Sequence, residues 1–284
     1  MAEARPHGAA RLARLWRLYA GMDLLFIARG PTTALAFVFS DVVVGLGGVT
    51  AAFLLAERFD GIGPWTRPQV LFLLGYALTV RGVVTVLFSY NVAHISRRIG
   101  RGQLDHLLVQ PQPLWMALLS EGFAPLSGAG SLLPGLALLA WAARGLGLPP
   151  SAGWLALLAL NAGGSLVIVM AFAYLWGSIA FWAPRAAEEI NSSSAQLIDG
   201  LQQFPLDALG AAARGGLLTV VPVGFAAWYP CRALLGLDTV PYAVLLTPLA
   251  ALAAAALASW VFATGLRQYG RTGSTRYLSH GHRR

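Results

Sequence analysis

Ile99-Gly-Arg-Gly-Gln-Leu-Asp-His-Leu-Leu-Val-Gln-Pro-Gln-Pro113 is a charged, proline-closed segment set between two long apolar runs. A segment of this kind between two stretches long enough to cross a bilayer reads as a water-facing connector on a membrane protein. Gly102 permits a sharp break in the chain, after which Leu104, Leu107 and Leu108 share one helical face until Pro111 and Pro113 stop the turn. The expected product is an apolar ridge of about one and a half turns, flanked by Arg97, Arg98 and Arg101. The bare residues leave two readings open: a ridge that seats in another protein, or a loop held at lipid phosphates by its arginines. Asp105 is expected to cap the short helix or to pair with an arginine, capping being preferred.

Outward from the connector, composition decides the solvent. Of 284 residues 57% are apolar and only 11% charged, which is too apolar for an ordinary water-soluble domain. The net charge of +8 is spread along the chain beside apolar runs and does not form one basic domain, so it reads as topogenic and excludes a nucleic-acid partner. All 20 basic residues are arginine. Without a lysine there is no Walker A loop and no lysine nucleophile. One cysteine, Cys231, permits neither an internal disulfide nor a cysteine-rich metal site.

Apolar runs place spans at Ala34 to Ala56, Gln69 to Ala93, Leu114 to Trp141, Trp154 to Trp182 and Pro241 to Leu266. Arginines crowd the segments before residue 30, from His94 to Pro113 and after Leu266, so both termini are expected in the cytosol. That parity demands a sixth crossing between Asn191 and Leu235, although Ala186 to Phe204 is polar. Pro205, Pro222 and Pro230 argue against one straight helix there. A polar crossing followed by short re-entrant helices, including Leu217 to Leu235, is preferred over a cytosolic helix from Ala186 to Leu206 with a span from Leu209 to Trp228. Trp65, Trp115, Trp141, Trp154, Trp182 and Trp228 fall near span ends, as interfacial indoles do. In the first 30 residues, arginines 5, 11, 14 and 17 alternate with Leu12, Leu15, Trp16, Tyr19, Met22 and Phe26 at helical spacing. This is the pattern of an interfacial amphipathic helix, and Asp23 and Arg29 argue against a cleaved signal peptide.

The chain resembles the type 2 ABC permeases. A small six-span branch is matched in Ile62-Gly-Pro-Trp65 with Val70 to Tyr76, in the Gly-x-Leu-Asp box at 102 to 105 followed by Leu107, Leu108 and Pro111, in Phe181-Trp182, in Phe204-Pro205-Leu206, and in Leu218 to Pro230. Gln110 stands where the branch usually has arginine, and Gly63-Pro64-Trp65 replaces a Gly-Trp pair. The resemblance implies an all-α integral membrane fold with six transmembrane helices, an N-terminal amphipathic helix and a broken, partly re-entrant region between spans five and six. It divides the chain into an entry helix (1–30), a permease domain (31–266) with its connector at 94–113, and a basic tail (267–284). It further implies a permease half of an ATP-driven exporter in a bacterial plasma membrane, acting with a second permease, the same chain or a relative. A separate cytosolic ABC ATPase would carry ATP and Mg, this chain binding no cofactor. On that reading Arg97, Arg98, Arg101, Gly102, Leu104, Asp105, Leu107, Leu108 and Pro111 form the contact with the ATPase.

Asp41, Arg81 and Glu121 are ionisable residues within proposed spans and are expected to form one cluster, either a charge network joining helices or a polar patch on the transport path. Other chemistry is thin. His94, His106, His280 and His282 lack metal-ligand spacing, and neither a zincin nor a serine-elbow motif occurs, so no catalytic or metal residues are expected. A secondary carrier would show inverted repeats and paired broken helices; a membrane-embedded enzyme would show a concentrated polar constellation at one depth. These two remain the alternatives to the exporter.

Overall fold

The computed structural model describes residues 8–272 apart from Thr239 and Pro241, and all side chains in that range except those at 89–94, Arg185 and Ala208. The expectations for Arg5, the His94 side chain, Pro241, His280, His282 and the tail beyond residue 272 lie outside the described residues. The rest is almost entirely helical: α1 (Gly8–Arg29), α2 (Pro31–Phe59), α3 (Arg67–Gly100), α4 (Leu104–Leu108), α5 (Leu114–Ser120), α6 (Leu132–Gly145), α7 (Ala152–Gly177), α8 (Pro184–Leu201), α9 (Ala211–Thr219), α10 (Tyr229–Leu234) and α11 (Ala243–Thr272). A two-residue antiparallel hairpin, β1 (Gly61–Ile62) and β2 (Trp65–Thr66), turns α2 into α3.

Among the described residues four helices are long and apolar enough to cross a bilayer: α2, α3 to Phe88, α7 with its continuation to Phe181, and α11. The bent pair Ala211–Thr219 and Gly224–Leu234 makes a fifth if counted as one span. Helix α3 is the axis, with 72% of its apolar stretch buried against 17% in α2 and α11. Its closest partner is α6, and glycine makes that approach possible. A Cβ at Gly75 would lie 2.5 Å from the Leu139 nitrogen, and one at Gly82 would lie 2.4 Å from the Leu132 Cα. No side chain fits there, so the backbones pack directly.

The continuous third span expected from Leu114 to Trp141 is replaced by α5, an irregular stretch at 121–131, and α6. Gly122, Pro125, Gly128 and Gly130 interrupt the helix, and the backbone donors this releases find carboxylates. Asp23 of α1 accepts from the Leu126 and Ser127 amides at 2.8 and 3.1 Å, and Asp41 of α2 accepts from the Ser131 amide at 2.7 Å and its hydroxyl at 2.9 Å. An unpaired buried amide costs about 1–3 kcal/mol. Several satisfied together offset the cost of bringing a carboxylate to depth, about 3 kcal/mol on insertion scales.

Between α8 and α11 the chain is broken, as its prolines predict. Pro205 precedes a short turn at Leu206–Ala208, and Pro222 lies in the gap where α9 turns by 80° into Gly224–Leu234. The second arm therefore starts at Gly224 and not at Leu217, and a straight span from Leu209 to Trp228 does not form. Gly224–Trp228 is a π-helical turn, in which residue 230 would normally donate to the Phe225 carbonyl. Residue 230 is proline and has no N–H. Ser165 of α7 supplies the missing donor, Oγ to the Phe225 carbonyl at 3.0 Å, and the Tyr76 hydroxyl lies 2.9 Å from that Oγ. The same repair occurs in α11, where Pro248 leaves the Val244 carbonyl without its helical donor and Asn161 Nδ2 of α7 reaches it at 3.1 Å.

Candidate functional site

At the connector end, Gly102 takes a left-handed backbone (φ 69°) that lets the chain reverse out of α3 into α4. The expected ridge faces inward. Leu104 is 0% and Leu107 4% exposed, packed on Ile95, Ile99, Ala117, Phe181 and Tyr269. They fill the space where α3, α5, α8 and α11 converge, and are therefore not available to another protein. Leu108 (45%) and Val109 (81%) are the exposed apolar side chains, beside exposed Gln103, His106, Gln110 and Pro111.

The polar residues of the connector tie the same elements together. Asp105 lies in the first turn of α4, whose N-cap is Gln103, and the Tyr269 hydroxyl of α11 donates to its Oδ1 at 2.6 Å. Arg97 pairs with Glu188 of α8 at 2.6 Å, Arg101 approaches the same carboxylate at 3.8 Å, and the buried Arg98 guanidinium pairs with Glu121. Arg11 of α1 donates to the Pro111 carbonyl at 2.9 Å. Burial, reinforced by the nearby Glu121 carboxylate, raises the pKa of the Tyr19 phenol of α1, while Arg98 opposes that rise. Helix α1 thus rests on the connector end. Its Leu12, Leu15, Trp16 and Tyr19 turn toward the protein and Asp23 is buried, whereas Met22 and Phe26, expected on the same face, are exposed.

The structure does not join Asp41, Arg81 and Glu121. Asp41 serves the Ser131 backbone, Glu121 pairs with Arg98, and among the described residues no ion pair links the three. The physical reason is the break at 121–131. It draws Asp41 to its loose amides and carries Glu121 toward the end of α3, away from Arg81 near the middle of that helix.

Arg81 instead faces a cavity of about 190 Å³ between α3, α7 and α8. Thr85, Ser194, Asp199 and Gln202 supply its other polar lining, and Val84, Phe172 and Ile198 part of its apolar wall. Asp199 accepts from Gln202 Nε2 at 3.3 Å. Helix α8 reaches this depth by running antiparallel to α3. Glu188 meets Arg97, and Asn191 Nδ2 donates to Ser96 Oγ at 3.2 Å; beyond Gln202 the chain continues to Asp207, level with Trp65 at the start of α3.

A hub at the hairpin end was not apparent from the sequence. Asp207 accepts from the Trp65 and Trp228 indoles at 2.5 and 2.7 Å and pairs with Arg232, which also pairs with Asp238 at 3.1 Å and lies over the Trp228 ring at 5.5 Å. Trp65 and Trp228 are 2% and 4% exposed, so their rings are turned inward and anchor this hub. Trp115, Trp141 and Trp182 are exposed. The only local signal for the hub was a lone aspartate two residues after Pro205.

A family model described as ABC-2 family transporter protein matches residues 43–273, a range that contains the connector, both breaks, the cavity and the hub. No curated protein and no solved structure matches the chain.

Proposed function

We infer, for a chain that belongs to the ABC-2 transporter family and is accordingly a membrane-spanning permease subunit, that it is half of an ATP-driven exporter whose motor sits at the connector end. The observation that carries this reading is the convergence there. Helices α1, α3, α4, α5, α8 and α11 are tied by Arg11, Arg97, Arg98, Asp105, Glu188 and Tyr269, so a push on α4 reaches both ends of the sequence at once. The motor contact consists of the exposed rim, Gln103, His106, Leu108, Val109 and Pro111, and not of the buried leucines behind it.

The remaining organisation of this reading is in keeping with the same geometry. Helix α8 is the polar crossing, since its 18 residues span about 27 Å alongside α3. With α2, α3, the α5–α6 pair, α7 and α11, it gives six crossings. The bent α9–α10 pair is a re-entrant element at the outer face, and α1 is an interfacial entry helix before the permease domain. Both termini are cytosolic in a bacterial plasma membrane. A second permease covers the polar outward face of α8, which carries exposed Ser192, Ser193 and Gln196. ATP and Mg are bound by the partner ATPase.

The test is extraction of the complex from its host in mild detergent, comparing the native chain with a Leu108→Asp, Val109→Asp variant. An ATPase recovered with the native chain and lost from the variant, at unchanged thermal stability, is the expected result. An ATPase retained by the variant refutes the rim as the contact. A stable assembly without any ATPase refutes the exporter.

A further inference from the structure

Arg81 is a half-buried guanidinium on the axial helix, about 21 Å along the helix from Arg67 at 1.5 Å per residue. Its five N–H donors make no hydrogen bond or ion pair with any described residue, although it lines the cavity with Asp199, Thr85, Ser194 and Gln202. Among the described residues the opposing Asp199 carboxylate has one long side-chain hydrogen bond, from Gln202 at 3.3 Å. Two opposite charges therefore face one space without closing on each other. A structural pair at this depth would close, because neutralisation in contact is the cheapest way to keep charge in a bilayer.

Volume restricts what can enter. Drug-sized ligands occupy pockets of roughly 300–1,000 Å³, whereas this cavity offers about 190 Å³. It suits a small polar headgroup, with an attached chain leaving along Val84, Phe172 and Ile198. A bare anion would satisfy Arg81 and be repelled by Asp199; a bare cation meets the reverse. We propose that this recess binds the headgroup of a zwitterionic amphiphile, its anionic oxygens on Arg81 and its ammonium on Asp199. That such an amphiphile is the exported cargo rests on the permease reading; the binding itself does not.

The full-length chain in maltoside micelles tests this without the ATPase, by native mass spectrometry with three probes: lauroyl lysophosphatidylethanolamine, dodecyl phosphate and dodecyltrimethylammonium. The native chain is expected to prefer the zwitterion. Arg81→Gln should weaken the zwitterion and the phosphate about tenfold, as loss of a charge-assisted contact does. Asp199→Asn, nearly isosteric and so the safer variant for folding, should weaken the zwitterion while strengthening the phosphate. An order of affinities unmoved by Asp199→Asn overturns the proposal, as does no binding of the zwitterion above background. Either failure leaves recovery of the ATPase untouched, so the site and the exporter reading fail separately.

Discussion

The chain leaves helical geometry at two places within the bundle, at 121–131 and between α8 and α11, and the two are satisfied from opposite directions. In the first, loose backbone amides point outward and meet carboxylates brought by α1 and α2: Asp23 under Leu126 and Ser127, Asp41 under Ser131. In the second, the carboxylate is inside the broken segment itself, and Asp207 gathers the Trp228 indole and the Arg232 guanidinium from that same segment and the Trp65 indole from the hairpin. The loose carbonyl there, Phe225, is met by a hydroxyl from α7. The first break holds Pro125 as well as three glycines, and where the chain re-enters a helix after it the first amides need acceptors. A break made by proline leaves carbonyls that need donors, since proline removes an N–H and not a C=O. Asp23, Asp41 and Ser165 answer backbone groups left over at the breaks, whereas Asp207 answers side-chain donors.

The sharpest way to break this comparison is at Asp207. Replacing it with alanine leaves two buried indole donors without a partner and a half-buried guanidinium with Asp238 alone, and about 2–5 kcal/mol of stability should be lost. Chemical unfolding in micelles, followed by tryptophan fluorescence, measures this directly because Trp65 and Trp228 sit on the hub. If the loss is under 1 kcal/mol, water replaces the carboxylate and the hub is not a hub. Next is Asp41→Leu, expected to cost about 1–3 kcal/mol through the orphaned Ser131 amide. Hydrogen exchange should quicken at residues 121–131 while the α9–α10 region keeps its rate. Equal quickening in both places would show that the two breaks are one cooperative unit. The smallest effect is expected from Ser165→Ala, about 0.6–1 kcal/mol, in line with hydrogen bonds between membrane helices. Adding Tyr76→Phe should cost little more, since Tyr76 reaches the Phe225 carbonyl only through Ser165. A double variant costing the sum of two independent losses would contradict that relay.

The two breaks also differ in how readable they were. Pro205, Pro222 and Pro230 announce the second in one dimension, because proline forbids the local hydrogen bond whatever surrounds it. The first lies in an apolar run from Leu114 to Trp141, where one proline, Pro125, and Gly122, Gly128 and Gly130 are compatible with a kinked transmembrane helix until something else satisfies their backbone. That something is Asp41, which stands 90 positions from Ser131. Asp41, Arg81 and Glu121 were legible as costly charges at depth; their partners were not, since depth along a span says nothing of the direction a side chain takes. The connector shows the same limit. Its leucines were readable as one helical face, but an apolar face seats equally well inward or on another protein, and only packing against Ile95, Phe181 and Tyr269 decides.

By itself, the amino-acid sequence determined the solvent, the approximate places of the apolar crossings, the arginine asymmetry and the broken region before α11. These depend on composition and on local rules that hold residue by residue: apolar length against bilayer thickness, and proline against the helix. Tertiary structure alone decided that Leu104 and Leu107 face inward, that Trp65 and Trp228 share Asp207, that α5 and α6 are separated, and that Arg81 faces Asp199 across a cavity. Each of those depends on satisfying a buried polar or apolar group with a partner tens of residues away, and such a partner is selected only when the helices are brought together.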